Sequence, residues 1–434
     1  MSDTREPGGR YGLGMRGALW AVAVVASMVA SSPGAARAQA PASAPISLAD
    51  ALRLGASAGP DVALAAAPLA ASRAARETSR TWLVLPPIVS AGAGPRSDAS
   101  KLSLDVQASA VLQVPLRDVR GARGDVAHAT LDLIGADTRR ARFGGALRAG
   151  VAWSRAMEAK EVLRLRQDAL DQAEAIASTA RKRAQSGVSM PSELAVVLGD
   201  LGFARASLLD AEGTLVEARA ELRLATGAAV DAPVDVAGDL YADASRAPER
   251  TPSTKNVEAN NPEIRFDHTR EAVARGETAL TSATLGPNVG VGASFMHEGT
   301  GATSVVGVIT LPLPIVDHAA FERSRSQARE DVAAAQTQRT RREVASQAAI
   351  ALHDIEHFRQ TRDTLSSDAL PPLREAVRLA AVQFAAGTQE IGLVMVSRQR
   401  LIAAQEMLAR VSGDVVRADL RLAHVTGALL PEAR

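Results

Sequence analysis

His353 and His357 stand four apart in the run His353-Asp354-Ile355-Glu356-His357, a spacing that puts both imidazoles on one helix face, as a metal pair requires. No third ligand is identifiable nearby, and exposed histidines are common on a long polar helix, so no metal site is assigned. Glycine-rich runs could cradle a phosphate, but none carries lysine and serine at Walker spacing behind a strand. Cysteine is absent, histidines number 7, and no serine lies in a nucleophile-elbow context. The residues offer no catalytic constellation, and the expectation is a protein that is not an enzyme and uses no cofactor.

The elements must therefore carry the function. Of the 434 residues 47% are hydrophobic and only 3% aromatic, with alanine supplying much of the apolar share, which favours close helix packing over a bulky core. Lys and Arg number 49 against 48 Asp and Glu, and the signs alternate along the helical segments, so no basic footprint for nucleic acid exists. Without cysteine there is no disulfide and no acylated N-terminal cysteine. The opening reads as a secretory signal: Arg5, Arg10 and Arg16 precede an apolar run from Gly17 to Ala30, then Ala36-Arg37-Ala38 as cleavage site. That run is about 14 residues, short of the roughly 20 a bilayer-spanning helix needs. No later stretch is apolar enough to span as a helix, so any membrane part must be a barrel.

The chain is written twice. The run from Gly187 to Ala228 is answered without a gap by Gly387 to Ala428, a constant shift of 200. Leu194, Leu201, Ala204, Leu208, Leu215 and Leu222 correspond to Val394, Leu401, Ala404, Leu408, Val415 and Leu422, steps of seven, three and four that keep one helix face. Gly59-Pro60-Asp61 pairs with Asn261-Pro262-Glu263, Pro87 with Pro287, and Val114-Pro115-Leu116 with Leu311-Pro312-Leu313.

Each copy reads as helix, two strands, helix, turn, helix. Leu102 to Gln107 and parts of Val289 to Ser294 alternate apolar and polar, between glycine-rich turns expected at Ala91 to Ser100 and Glu298 to Ser304. No proline lies between Pro115 and Pro191, so one helix there would extend about 100 Å, with Gly144-Gly145 a point for a bend. Pro371-Pro372 predicts a kink or break near Leu370. Gly187 and Gly387 follow helix ends carrying Arg181, Lys182 and Arg183, so each marks a hairpin tip. The boundaries expected are a signal peptide over 1–38, a first repeat over 39–230, a connecting segment over 231–259 lying across the outside of the helices, a second repeat over 260–428 and a tail over 429–434.

With two copies of helix, strand pair and long hairpin behind a signal peptide, the chain resembles the TolC family of outer-membrane efflux proteins over nearly all its mature length. Ile46 to Leu52 followed by Gly59-Pro60 is similar to that family's first helix. Arg181 to Thr226-Gly227, and Leu370-Pro371 ahead of Phe384 to Gly387, are similar to its hairpins. The resemblance implies an α+β membrane protein: long antiparallel helical hairpins forming an α-barrel tunnel, and four strands per chain joining a trimeric twelve-stranded β-barrel. It implies a homotrimer in outer-membrane lipid with a large periplasmic part. That trimer would be a passive duct serving an inner-membrane pump and a periplasmic adaptor, from the heavy-metal or multidrug branch. The tips Gly187 and Gly387 then surround the entrance, with Glu193 and Phe384 at positions of the family's closing contacts, where Asp and Tyr are typical. Leu393 and Val396 stand where some members carry aspartates, and Gln389 where a basic partner is familiar. Glu193 also reads as a first-turn carboxylate after Pro191, and Phe384 as packing on the hairpin seam. The alternative is a soluble periplasmic coiled-coil adaptor or structural protein, separated from the duct by whether the segments Leu83–Leu116 and Gly286–Ile315 form membrane strands. Of aromatics for the barrel's girdles, these segments and their margins offer little beyond Trp82 and Phe295.

Overall fold

A computed structural model describes residues 45–79, 81, 85–98, 101–245, 254–311 and 319–430. The secretory segment, Trp82 and Pro312 lie outside these.

The opening of the first repeat is three helices where one was expected: α1 (Leu48–Ala58), α2 (Pro60–Ala66) and α3 (Leu69–Ser79). Ser47 caps α1, its Oγ accepting the Asp50 N–H at 3.2 Å. Pro60 and Pro68 interrupt the run, because proline lacks the donor that would continue a helix. The stretch Leu48–Ala66 meets α3 at 43°.

Strand β1 (Ile88–Asp98) and strand β2 (Lys101–Pro115) follow. The expected turn at Ala91 to Ser100 is corrected here: residues 91–98 continue β1. Gly92 and Gly94 read as turn formers, yet each is paired in the ladder, opposite Gln107 and Asp105.

Helix α4 (Val119–Gln185) then runs 67 residues without interruption, about 100 Å at 1.5 Å per residue. Gly144-Gly145 does not break it. Gly145 serves a close crossing instead: a Cβ there would meet the Gly55 carbonyl of α1, and a Cβ on Gly55 would meet the Gly145 carbonyl. Helix α5 (Pro191–Thr226) returns antiparallel and packs along α4.

The connecting segment contains α6 (Leu240–Ser245) and leads to α7 (Thr254–Asn260). Val236 forms an isolated parallel bridge with Ile46, and Leu240 and Ala244 are buried.

The second repeat begins with α8 (Pro262–Thr284), whose cap Asn261 accepts N–H bonds from Glu263 and Ile264 at 2.9 and 3.0 Å. Strands β3 (Asn288–His297) and β4 (Thr303–Thr310) lead into α9 (Ala320–Thr364). The kink expected near Leu370 is a π-helical turn, Leu365–Ala369, passing into α10 (Leu370–Ala385). The missing donors of Pro371 and Pro372 cannot pair with the preceding turn, and widening by one residue keeps the helix going. Helix α11 (Ile391–Val425) closes the hairpin.

The four strands form one antiparallel sheet in the order β1-β2-β3-β4. The central pairing, with Ser109 opposite Ser294, joins the two repeats. No single helix among the described residues is long and apolar enough to cross a membrane.

Four apolar clusters hold the helices among the described residues, and the two larger ones matter most here. One centres on the buried Trp153, whose Nε1–H donates to the Ile46 carbonyl at 2.9 Å, with Phe143, Leu222, Val236 and Leu420 around it. The other lies towards the tips and joins α4, α5, α10 and α11 through Ala177, Leu201, Phe384 and Val394. All twelve residues of the duplicated stripe are buried or half-buried, so the period of the sequence is the period of the packing.

Candidate functional site: paired hairpin tips and a two-faced sheet

At the first tip the Gly187 N–H donates to Ala184 O and the Val188 N–H to Arg183 O, at 3.1 and 3.0 Å. At the second, Gly387 donates to Phe384 O and Thr388 to Gln383 O, both at 3.0 Å. Each is a six-to-one closure around a left-handed glycine, with φ +72° at Gly187 and +75° at Gly387. The same closure recurs at the far ends of the returning helices, at Gly227 and Gly427 with φ +69° and +72°. The repeat thus extends from residue types to hydrogen bonds.

Glu193 lies in the first turn of α5, half-buried, and its carboxylate accepts a bond from the Ser189 hydroxyl. Phe384 is buried in the tip cluster, and Arg183 lies over its ring at 4.6 Å while Nη1 donates to its carbonyl at 2.7 Å. Phe384 thereby fastens the second tip to the first. Gln389 is half-buried in the turn before α11. Leu393 and Val396 are each 47% exposed on the outer face of α11, away from the Val394 and Met395 packed inside.

Sequence reasoning passed over a third contact. Arg398 of α11 is buried; Nη1 reaches Asp200 Oδ2 at 3.1 Å on α5, and Nη2 donates to the Ala169 carbonyl at 3.0 Å on α4. Its partner lies 198 residues away, beyond any local pattern. One signal was present: Arg398 falls four after Val394 and three before Leu401, a charge on the apolar stripe. Further along the seam Arg166 pairs with Glu406 at 2.5 Å and Arg417 with Glu158 at 2.8 Å. Burial pushes both carboxyls above the usual range, against the pull of those arginines.

His353 and His357 stack with centroids 6.2 Å apart on the exposed side of α9. No group of three or more His, Cys, Asp or Glu among the described residues is placed to hold a metal ion.

Side chains alternate across a strand, and the register sorts the sheet into two faces. One carries Val89, Leu104, Ala110, Val291, Phe295 and Ile309; the Ile309 side is open, at 78% exposure. The other carries Ser90, Arg96, Asp105, Gln107, Ser109 and Ser294, with Ile88, Val111, Met296, Val306 and Val308 as apolar exceptions. Ser90 and Ser109 share a hydrogen bond of 2.7 Å, Gln107 donates to Ser294 at 3.4 Å, and Arg96 pairs with Glu298 at 2.7 Å. A polar face of this kind suits water and the apolar one suits lipid.

Comparison with known proteins agrees with this geometry. A family model described as outer membrane efflux protein matches residues 254–428. A comparison with curated protein sequences finds no match. Among solved structures, a membrane protein from Pseudomonas aeruginosa superposes with a TM-score of 0.74 at 18% identity, covering 88% of this chain and 90% of that one. The CmeC outer membrane channel of Campylobacter jejuni gives 0.74 at 12% identity, covering 89% and 87%. The MtrE outer membrane channel of Neisseria gonorrhoeae, solved in its open state, gives 0.71 at 17% identity, covering 88% and 89%. The family pattern thus covers the second repeat of this chain, and the fold it shares with these outer membrane channels extends over both repeats.

Proposed function

We propose that three copies of this chain form a passive duct that takes substrates from an inner-membrane pump and a periplasmic adaptor and releases them outside the cell. The observation that carries the reading is the sheet: four strands with an apolar face, a largely polar face and two edges, β1 and β4, that have no partner among the described residues. Unpaired edges are not tolerated in lipid, and four strands are too few to close around a channel. Two further copies would seal a twelve-stranded barrel with the polar face inward. Phe203, Val216, Phe321 and Val332, all strongly exposed on the helices, would be covered by the neighbouring copies. On this reading Gly187 and Gly387 line the periplasmic entrance, with Glu193, Phe384 and Gln389 as contacts that close it. Leu393 and Val396 give that entrance an apolar rim where an acidic ring would otherwise select cations.

The test is extraction and oligomeric state. The full chain should require detergent for release from the outer-membrane fraction and run as a heat-sensitive trimer. V291R, on the apolar face, should block assembly, at a cost of about 2–4 kcal/mol for a mid-bilayer arginine, whereas S294R, on the polar face, should assemble. A monomer freely soluble without amphiphile would overturn the duct and favour the adaptor.

A further inference from the structure

We propose that Arg96, Asp105 and Glu298 form a charged ring at the outer mouth of the duct that favours cations over anions, so that ion selection is exerted at the end far from the hairpin tips. The inference rests on the duct reading above.

The charges of the sheet gather at one end. Of Asp, Glu, Lys and Arg, the four strands hold only Arg96 and Asp98 on β1 and Lys101 and Asp105 on β2. That end lies away from the helices, because β2 leaves for α4 from its other end, at Pro115. Arg96 and Asp105 stand on the largely polar face, the one turned inward in the assembled barrel. From there to the helices that face carries no further acid, lysine or arginine. Asp98 and Lys101 are paired at the end of the ladder and are one of each sign.

The turn between β3 and β4 brings in the third member. It closes with the Glu298 N–H donating to Ala302 O at 2.9 Å and the Gly301 N–H to Glu298 O at 2.8 Å, with Gly301 at φ +94°. The turn lies against β2: the Gly299 N–H donates to Asp105 Oδ1 at 2.9 Å, and a Cβ on Gly299 would meet Ser103 and the Leu104 nitrogen. Arg96 reaches across from β1, with Nη1 2.7 Å from Glu298 Oε2 and 3.8 Å from Asp105 Oδ2. Gly94, opposite Asp105, has open space where a side chain would stand.

Stability does not account for this arrangement. The β2–β3 register, carried one step past Val106 and His297, sets Asp105 opposite Glu298, and like charges directly opposite in a sheet are destabilising. One arginine serves two carboxylates, so each copy keeps one negative charge at this level and three copies keep three. The side chains of Arg96, Asp105 and Glu298 are 45%, 32% and 31% exposed. Ion pairs that open to water contribute little to folding, and the same exposure presents the charges to passing ions. The entrance has the uncharged Leu393 and Val396 at its rim, so the mouth is where the barrel can tell one sign from the other.

The experiment measures reversal potentials of wild type, E298Q, D105N and R96Q in planar lipid bilayers under a KCl gradient from about 0.01 to 0.1 M, where the Debye length is about 30 to 10 Å. Charges elsewhere in the tunnel set a baseline common to all variants, so the readout is the change in potassium-to-chloride permeability ratio from wild type. E298Q and D105N should each lower the ratio roughly twofold, the factor that one unit charge about 10 Å away contributes in water. R96Q should raise it by a similar factor. Above about 1 M KCl the differences should vanish, because the Debye length falls to about 3 Å. Neighbouring substitutions that act in opposite directions report charge, which mere disruption of the mouth does not imitate. Should a strand variant fail to assemble, E298Q and E298K in the turn decide, the second lowering the ratio further than the first. If wild type conducts and no variant changes the ratio, or if R96Q and E298Q change it in the same direction, the ring is refuted while the duct stands. If inserted wild type never conducts, the duct reading falls and the ring with it.

Discussion

Four glycines share one backbone conformation in this chain, and they should not share one cost of substitution. Gly187, Gly387, Gly227 and Gly427 all lie between φ +69° and +75°, where an L side chain loses about 1–2 kcal/mol. At Gly187 and Gly387 a Cβ would find nothing within 4 Å. Alanine there should cost that backbone penalty alone, and asparagine less, because it visits the left-handed region more readily. At Gly227 the Cβ would strike the Ala58 carbonyl at the end of α1, and at Gly427 the Asn260 carbonyl at the end of α7. Those carbonyls are backbone at capped helix ends and cannot turn aside. Overpacking adds about 1–3 kcal/mol, giving roughly 2–5 kcal/mol in all. Heat denaturation of the four alanine variants in detergent, followed by helical circular dichroism at one scan rate, should give two mild variants and two severe ones. Four equal shifts would show that the close approach at Gly227 and Gly427 contributes nothing, and a reversed order would refute the assignment of the open tips.

Two adjacent glycines in α4 should respond in opposite directions. G144A, with open space around it, should stabilise the helix by about 0.5–1 kcal/mol, whereas G145A and G55A should each lose about 1–3 kcal/mol at the backbone crossing, as read from thermal shifts. The seam carboxyls should leave a pH signature. Burial raises Glu406 above its ordinary value, with Arg166 opposing, so the folded chain holds a proton that the unfolded chain has released. The associated stability is full below about 4.3, the free glutamate value, and is lost as pH rises through the raised folded value. Wild type measured against E406Q should therefore lose relative thermal stability as pH rises above the free glutamate value of about 4.3. A flat or opposite difference would remove the seam from the account. His424 is buried and lowered; its contribution is lost as pH falls, and it is common to both proteins, so it cancels.

The fold was legible because the features that build it are local or periodic. The αL glycines, the uninterrupted run to Gln185 and the apolar stripe from Leu194 to Leu222 each announce themselves within a few turns of chain, and the shift of 200 carried each reading to its second copy. What misled was glycine in a strand. Gly92 and Gly94 have the residue type of a turn, but a two-faced sheet also uses small residues, and only the pairing with Asp105 and Gln107 shows which applies. Gly145 suggests a bend for the same reason: glycine marks a special backbone need without saying whether it is a kink or a contact. The candidate site was legible only as positions. Glu193 and Phe384 stand where the sequence put them, yet their partners Ser189 and Arg183 depend on side-chain reach across a turn or between hairpins.

The contacts that join the two repeats are those that duplication cannot supply. A tie between copies copied faithfully would place like residues opposite like: Arg398 answers Leu198, Glu158 answers Phe358, and Arg417 answers Glu217. Each ion pair on the seam therefore exists because the copies have diverged there. The shared stripe makes the two hairpins alike enough to pack, through Leu201 and Val394 in one cluster. The unshared charges decide how they sit, since Arg398 reaches Asp200 and Arg417 reaches Glu158 in one register only. An apolar seam alone would permit sliding by about two turns at little cost, because a repeat of seven matches itself one heptad along. Charges at single positions forbid that slip. In a chain whose core is rich in alanine, register between hairpins thus comes from a few seam arginines, of which Arg398 is buried and Arg166 and Arg417 are half-buried, and the residues to change in order to move one hairpin against the other are those arginines rather than the stripe.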